Sequence, residues 1–383
     1  MIARRVPAIL CTSLFASLGV AAPGSAQGTS AAREGAGAGV RVCAGGDVTL
    51  GTNLDTTWTK PMSEWLRRPV PALPRPDLLL RPLQPLLSDA DVVLVNVEGA
   101  IGSGPVEKAK CEEDERGCYA LRQQPATATA LRRLSARGQV VGNLANNHAR
   151  DAGARGLERT VALLERAHVH ITGVDTLATP VATRGGDTVA FLGFSTSTGP
   201  DPRDLDAVRR HVTRAAAHYP LLVVTMHLGA EGRSAQRTRD TMEVYFEERR
   251  GNPVAFAHAA ADAGAKLVVG HGPHVMRAME WRNESLIAYS LGNLVTYGPF
   301  SLREPLNRGA ILCAVLNAKR GVVDAYVRPT KQRAPGRVSS DRGGRAVILA
   351  DSLARLDFPD SGAALITEAV VRRRRGGGGE RRQ

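Results

Sequence analysis

Five short apolar runs in this chain each end in carboxylate, carboxamide or imidazole side chains. The runs are rich in valine and leucine, which is typical of buried strands, and they occupy residues 42–46, 91–95, 140–144, 221–226 and 267–270. The polar residues that follow them are Asp47, then Asn96 and Glu98, then Asn146, Asn147 and His148, then His227, and finally His271 and His274. Five repetitions of one arrangement favour a shared site over five unrelated turns.

The alternation of strand-like and helix-like segments indicates the fold class. Helical patterns lie at 127–137, 156–167, 211–218 and 253–263, between the apolar runs, and strand patterns dominate after about residue 270. The runs 310–316 and 322–327 predict an antiparallel pair. We therefore expect an α/β core with mixed sheets. Ligands bind at the carboxyl ends of strands in such sheets, which is where the five polar blocks fall.

Each polar residue also has an ordinary structural role that competes with ligand binding. Asp47 alone is more often a turn residue or helix cap, Glu98 alone is no stronger, and His227 alone fits a hydrogen-bonded surface histidine. His271 and His274, separated by Gly-Pro after a strand, favour a site. Together the blocks supply a mixed nitrogen and oxygen ligand set suited to Mn, Fe, Zn or Mg. We expect one or two divalent ions there, since two close ions can activate water.

The ends of the chain differ in composition from its centre. Residues 1–26 combine a positive start, an apolar run and small residues, which predicts an export signal cleaved after Ala26; an uncleaved anchor is the lesser alternative. Residues 27–39 form an expected flexible leader, and residues 371–383, rich in Arg and Gly, an expected disordered tail. One domain is predicted over 40–330, with a weakly patterned extension over 331–370. The mature protein is expected in the periplasm, outside the cell or at the envelope.

Four cysteines remain after removal of the predicted signal. Cys111 and Cys118 bracket a polar loop, so in an oxidising compartment they form either a local disulfide or two loop thiols. Cys43 and Cys313 lie in apolar strand-like runs and are expected to be buried and inert.

The net charge of +13 does not by itself indicate a nucleic-acid-binding protein. Much of the excess lies in the terminal arginines, so the body is only mildly basic and the surplus fits a solvated surface. No interleaved stacking aromatics or zinc-finger spacing accompany it. A mildly basic body is still compatible with holding a polyanion.

Taken in order, the polar blocks resemble the bacterial CapA family of poly-γ-glutamate capsule biosynthesis proteins, in the wider calcineurin-like metallophosphoesterase group. The matching stretches are Gly46-Asp-Val-Thr-Leu-Gly51, Asn96-Val-Glu98, Leu144-Ala-Asn-Asn-His-Ala-Arg-Asp-Ala-Gly153, His227-Leu-Gly-Ala-Glu231, Gly270-His-Gly-Pro-His-Val275 and Ile287-Ala-Tyr-Ser-Leu-Gly-Asn293. The Asn-Asn-His-x-x-Asp-x-Gly and Tyr-Ser-Leu-Gly-Asn strings are specific to that family. The resemblance implies a four-layer α/β/β/α sandwich with two mixed sheets.

The resemblance also implies a role for each residue. In its scheme the metal ligands are Asp47, Glu98 (as the bridging carboxylate), Asn147, His227, His271 and His274. His148 looks like the catalytic acid that protonates a leaving oxygen. Residues expected around the metal shell or against substrate are Asn96, Asn146, Asp151, Glu231 and Asn293.

Three departures separate the chain from ordinary phosphoesterases. Asp47-Val-Thr49 lacks the imidazole of the usual Asp-x-His, Glu98 stands where Asp is usual, and two residues instead of one separate His271 from His274. These departures look typical of CapA-like proteins and favour polymer handling over phosphate hydrolysis.

The sequence is compatible with three functions. The first is an exported CapA-like protein that handles an anionic polymer such as poly-γ-glutamate, either by metal-assisted hydrolysis or transfer or by binding without chemistry. The second is an exported metal-dependent phosphoesterase acting on a small phosphate ester. The third is a non-catalytic envelope scaffold for polymer. The expected partners are the polymer or phosphate ester and envelope capsule-synthesis machinery, without nucleic acid.

Overall fold

The computed structural model describes residues 39–53, 74–104, 119–298, 300–365 and 370–374. The predicted signal peptide and the Cys111–Cys118 pair lie outside these ranges, and both stay predictions. None of the described helices is long and apolar enough to cross a membrane.

The described strands are numbered in chain order. The first ten are β1 (Val40–Thr49), β2 (Thr52–Asn53), β3 (Val92–Val97), β4 (Ala100–Ile101), β5 (Leu121–Gln123), β6 (Gln139–Asn143), β7 (His170–Thr172), β8 (Thr179–Ala182), β9 (Thr188–Ser195) and β10 (Leu222–His227). The others are β11 (Glu243–Tyr245), β12 (Glu248–Gly251), β13 (Leu267–His271), β14 (Met279–Arg282), β15 (Ser285–Ala288), β16 (Asn293–Thr296), β17 (Arg308–Asn317), β18 (Gly321–Arg333), β19 (Arg337–Ser340), β20 (Ala363–Leu365) and β21 (Val371–Arg373).

All four predicted helices are present, although the one predicted over 127–137 ends at Arg132, and helices also form at two further places. They are α1 (Pro76–Leu80), α2 (Ala126–Arg132), α3 (Gly153–Arg166), α4 (Leu205–His218), α5 (Pro253–Asp262) and α6 (Arg345–Asp357), with a 3-10 helix over Arg81–Leu87. α3 buries Leu157 and Leu164, one face of its amphipathic pattern. α5 begins after Asn252, whose side chain accepts hydrogen bonds from the backbone N–H groups of Val254 and Ala255.

Two mixed sheets form the centre of the fold. The larger has the order β19-β18-β17-β1-β3-β6-β7, with β16 also paired to β1. Within it β1, β3, β6 and β7 are parallel, whereas β17, β18 and β19 are antiparallel to their neighbours. The second sheet has the order β14-β15-β13-β10-β9-β8, and its strands β15, β13, β10 and β9 are parallel. The predicted antiparallel pair is the pair β17–β18.

Side chains alternate across each strand and so build separate cores. Val42 and Leu94 of the larger sheet pack with Val223 and Val269 of the second, between the two sheets. Strand residues of the larger sheet's other face pack with Leu131 of α2 and Leu164 of α3, and the other face of the second sheet packs with residues of α4 and α5. The layers are therefore helix, sheet, sheet and helix, which confirms the expected four-layer α/β/β/α sandwich.

The expectation of inert thiols at Cys43 and Cys313 is wrong. Both are fully buried, as expected, but they form a disulfide. The register of β1 against β17 places Cys43 directly opposite Cys313, across a sequence separation of 270. A pairing set by long-range strand register has no signal in local sequence.

The C-terminal segment is more regular than its weak pattern predicts. The helix α6 buries Ala346, Ala350 and Ala354. The strand β21 pairs with β20 and extends through Arg373, past residue 371, where the disordered tail was expected to begin. Residues 375–383 lie outside the described ranges.

Candidate metal centre

Strand ends from both sheets meet at one place. Asp47 lies in β1 and pairs in register with Asn96 of β3, while His227 of β10 pairs with His271 of β13. The Asn96 side-chain amide lies 3.3 Å from His227 Nδ1, and so connects the two sheets. The prediction that these blocks share one cleft follows from the carboxyl-end rule, and the structure brings them together.

The potential ligand atoms lie at short mutual distances. One oxygen or nitrogen from each of Asp47, Glu98 and His274 lies within 4.8 Å of the others. His227 Nε2 is 3.9 Å from Glu98 Oε1, and His271 Nδ1 is 3.7 Å from Asp47 Oδ1. These two distances are longer than a hydrogen bond, but they fit ligand atoms that point toward a common cation.

Several of these buried atoms have no hydrogen-bond partner among the described residues. They are Glu98 Oε1, His227 Nε2 and both ring nitrogens of His271. An unsatisfied buried polar group costs about 1–3 kcal/mol, so a cluster of them needs an explanation. A divalent cation supplies one, because carboxylate oxygen and imidazole nitrogen are its usual ligands. The residues present therefore fit a metal.

The imidazoles that face the centre differ in charge. Burial lowers the pKa of His227 to about 3 and that of His271 to about 4, so both are neutral at pH 7 and keep a free lone pair. Burial also lowers the pKa of His274, but the surrounding carboxylates outweigh burial and hold its pKa well above the usual range. A metal needs neutral imidazole, so binding at His274 would displace a proton.

The pKa values of the two carboxyl groups, Asp47 and Glu98, are shifted in opposite directions. Burial raises the pKa of Asp47, but the hydrogen bond and charge of His274 outweigh burial and keep that pKa below the usual range. Burial and the neighbouring Asp47 charge raise the pKa of Glu98 to about 8. A bound divalent cation would favour the ionised form of Glu98, since the cation's charge dominates its surroundings.

A chain of hydrogen-bonded side-chain amides orients the carboxylate of Asp47. Asn96 donates to Asp47 Oδ1 at 2.8 Å, and its own oxygen accepts from the amides of Asn143 (3.0 Å) and Asn146 (3.1 Å). Thr225 Oγ1 in turn donates to Asn143 Oδ1 at 2.9 Å. Sequence reasoning identified Asn96 and Asn146 but missed Asn143 and Thr225. Both are polar residues inside otherwise apolar strands, which is the signal that could have revealed them.

His148 and Asp151 form a second polar pair beside the centre. Asp151 Oδ2 lies 2.6 Å from His148 Nδ1 and also accepts from the Leu121 backbone N–H at 2.7 Å. His148 lines a cavity of ≈ 190 Å³ together with Glu98 and His274. Asn147 precedes His148 in the loop after β6 and is half-buried.

Glu231 and Asn293 both contact His274. Glu231 Oε2 lies 3.5 Å from His274 Nε2, and Asn293 Oδ1 lies 3.0 Å from His274 Nδ1. Asn293 begins β16 and is the register partner of Asp47. His274 adopts φ +59°, and an added Cβ at Gly272 would lie 3.0 Å from His227 Nε2. The glycine therefore lets the turn pass closely beside a candidate ligand.

Several residues of the cleft are not among the predicted site residues. Thr49 donates to Glu98 Oε2 at 3.4 Å, from the position where phosphoesterases usually carry an imidazole. Arg250 donates to Glu231 Oε1 at 2.7 Å. Tyr119 and Tyr245 line the cavity. Each reaches the cleft through a contact between distant segments.

Comparison with known proteins identifies relatives of the chain. A family model for the bacterial capsule synthesis protein PGA_cap matches residues 41–297. The capsule biosynthesis protein CapA of Bacillus anthracis is 28% identical over 239 residues, covering 57% of this chain and 54% of that protein. The PGA biosynthesis protein CapA of Bacillus subtilis (strain 168) is 29% identical over 170 residues, covering 40% and 41%.

A third relative is the probable polyglutamine synthesis accessory protein MT0602 of Mycobacterium tuberculosis, 30% identical over 232 residues, covering 54% of this chain and 55% of that protein. The chain thus matches roughly half of the length of these relatives. Among solved structures, a 5'-nucleotidase precursor from Thermus thermophilus aligns with 82% of this chain and 58% of its own, at 14% identity and a TM-score of 0.37.

The family model covers well over half of the chain and includes all the strand ends that form the cleft. This protein therefore belongs to the bacterial capsule synthesis protein family PGA_cap.

Proposed function

We propose that this protein is exported and acts at the cell envelope in the synthesis or export of an anionic capsule polymer such as poly-γ-glutamate. Membership of the family supports a role in capsule synthesis, and the relatives' names, which refer to capsule, PGA and polyglutamine synthesis, agree with it. We further propose that Asp47, Glu98, His227, His271 and His274 would hold one or two divalent metal ions in this cleft, and that the protein hydrolyses or transfers a bond of that polymer.

One observation carries the metal proposal. Potential ligand atoms that are buried and have no hydrogen-bond partner among the described residues converge from separate strand ends. Glu98 Oε1, His227 Nε2 and the ring nitrogens of His271 are buried toward the same place as Asp47. Such donors raise the energy of the folded chain unless a cation satisfies them. When bound, a divalent cation supplies a Lewis acid that polarises an acyl or phosphoryl oxygen and makes water more acidic.

His148 is the proposed proton donor in this cleft. With Asp151 accepting from Nδ1, the imidazole is oriented and Nε2 is left for proton exchange with a group in the cavity. Asn96 and Asn293 fix the side chains of Asp47 and His274 by hydrogen bonds. The chain's own residues thus orient the metal ligands and provide one acid.

The disulfide supports the export part of the proposal. Disulfides persist in oxidising compartments and are rare in the cytosol, so Cys43–Cys313 fits a protein that crosses the membrane with its predicted signal. Fractionation of cells, with mass spectrometry of the mature N-terminus, tests this. Recovery of the uncleaved, reduced chain from the cytosol would contradict it.

Metal content with a substrate panel tests the central proposal. The wild type is expected to bind at least one divalent ion per chain, whereas His271→Ala should lose most of it. The exposed His218 gives a matched control, and His218→Ala should retain the metal. Poly-γ-glutamate and a phosphodiester are then assayed with His148→Ala. Polymer turnover lost in His148→Ala supports the proposal, phosphodiester turnover alone favours a phosphoesterase, and polymer binding without metal favours a scaffold.

A further inference from the structure

A two-stranded hairpin, β11–β12, contributes to the wall of the cavity. It lies between β10 and α5, and no motif in the sequence predicts it. Tyr245, the last residue of β11, lines the cavity together with Glu231 and His274. The hairpin therefore places an aromatic ring beside the candidate metal centre.

The base of the hairpin is firmly held. Glu243, the first residue of β11, makes two hydrogen bonds to Arg277, at 2.8 Å and 2.7 Å, and Arg277 is only 1% exposed. Arg250 of β12 donates to Glu231 and its guanidinium lies 5.5 Å from the centre of the Tyr245 ring. These contacts fix Tyr245 in place before any ligand arrives.

The tip of the hairpin is strained and carries an exposed aromatic ring. Phe246 and Glu247 form its two-residue turn with φ of +45° and +64°, a left-handed conformation that normally selects Asn or Gly. Phe246 is nevertheless 67% exposed, and its ring contacts that of Tyr245 at 4.5 Å between centroids. Val244 beside it is 53% exposed. A strained, exposed aromatic adds little to folding and is typical of a binding position.

The chemistry of the cavity wall indicates what the hairpin contacts. Among the described residues that line the cavity, none is a lysine or arginine, and the carbon-rich ones are Tyr119, Leu121, Tyr245, Phe300 and Leu306. Glu98 and Glu231 supply carboxylates on the same lining. Away from the proposed metal centre at Glu98 and His274, this wall therefore offers no lysine or arginine to a ligand's anionic groups, and its carbon-rich side chains fit an uncharged segment lying between those groups.

We propose that the β11–β12 hairpin is the specificity element of this site. Tyr245 packs on the methylene and amide portion of one polymer repeat inside the cavity, and Phe246 packs on the next repeat outside it. This inference rests on the proposed polymer function and names the residues that select a carbon-rich repeat over a compact phosphate.

Equilibrium binding of fluorescently labelled poly-γ-glutamate, followed by anisotropy, tests the inference. Tyr245→Ala and Phe246→Gly are each expected to weaken binding about tenfold, the effect of losing one aromatic contact. Tyr245→Phe should bind as the wild type does. Ile348→Ala, which removes an equally exposed apolar side chain elsewhere (63% exposed), is the matched control and should also bind normally. Binding of inorganic phosphate should not change in any variant.

Thermal unfolding separates a binding role from a structural one. Glycine accepts the left-handed turn without strain, so Phe246→Gly is expected to melt at the same or a higher temperature while binding polymer more weakly. The inference is overturned if both hairpin variants bind normally, if Phe246→Gly lowers stability together with binding, or if Ile348→Ala loses the same affinity. A wild type that binds no polymer would instead overturn the proposed function, and the inference with it.

Discussion

The buried guanidinium of Arg277 should be one of the most sensitive positions of this fold. It makes four hydrogen bonds: to both oxygens of Glu243, to the Ala235 carbonyl at 2.7 Å and to the Ala230 carbonyl at 3.2 Å. Glu243 also accepts from the Ala230 backbone N–H at 2.7 Å. Arg277 therefore holds both the hairpin and the loop that carries Glu231.

The substitution Arg277→Met removes the charge but keeps an apolar side chain of similar length. It leaves the Glu243 carboxylate, only 11% exposed, without its guanidinium, and it leaves two backbone carbonyls without a donor. Breaking a buried ion pair from one side costs about 3–5 kcal/mol. That is a large share of the roughly 5–15 kcal/mol by which domains are stable.

Urea unfolding of the purified protein measures this cost. The control is Arg282→Met, whose partner is Asp262 and whose pair is 32% and 45% exposed. An exposed ion pair contributes about 0–1 kcal/mol to the free energy of unfolding. Arg277→Met should therefore lower that free energy by at least about 2 kcal/mol more than Arg282→Met does. Adding Glu243→Gln to Arg277→Met should restore part of the loss, because it removes the unpaired charge. Equal costs for the two arginine substitutions would refute the burial argument.

Three further predictions concern the metal, an exposed ion pair and the disulfide. Manganese at about a hundredfold its Kd should stabilise the wild type by about 2.7 kcal/mol in thermal unfolding, and His271→Ala should show no such shift. Partial burial raises the pKa of Asp89, but hydrogen bonds from Arg328 and Tyr326 outweigh it and lower that pKa to about 2. The contribution of ionised Asp89 to the free energy of unfolding is therefore complete above its ordinary pKa of about 3.8 and is lost as the pH falls towards 2. Asp89→Asn should flatten the curve of unfolding free energy against pH in that interval. An unchanged curve would contradict the pairing. Reduction of Cys43–Cys313 in unfolding assays should cost about 2–5 kcal/mol, and a double alanine variant should be insensitive to reductant.

The positions of the core strands and the core of the site could be read from local pattern. A buried parallel strand needs an unbroken apolar run, and its carboxyl end is where the chain turns and polar side chains become useful. Asp47, Glu98, His227 and His271 follow such runs, and the structure places their side chains around one centre. The alternation of strands with helices likewise predicted the α/β class that the two sheets confirm.

Other features depend on contacts between segments far apart in the sequence. The β11–β12 hairpin is stabilised by Arg277, whose distance in sequence from Glu243 gives no periodic signal. The weakly patterned C-terminal residues form α6 because the surrounding core accepts its alanine face. Local propensity is too weak to predict elements whose stability comes from tertiary packing.

The sequence by itself determined which residues end the central strands, and so which side chains are available for a metal. Only the tertiary structure decided which partners these residues meet. Asn293 contacts His274, Arg250 donates to Glu231, and Cys43 lies opposite Cys313. The physical reason is that strand ends follow from local hydrophobic pattern, whereas partners across a sheet follow from register and packing. Both depend on the whole chain, so neither can be read from one segment alone.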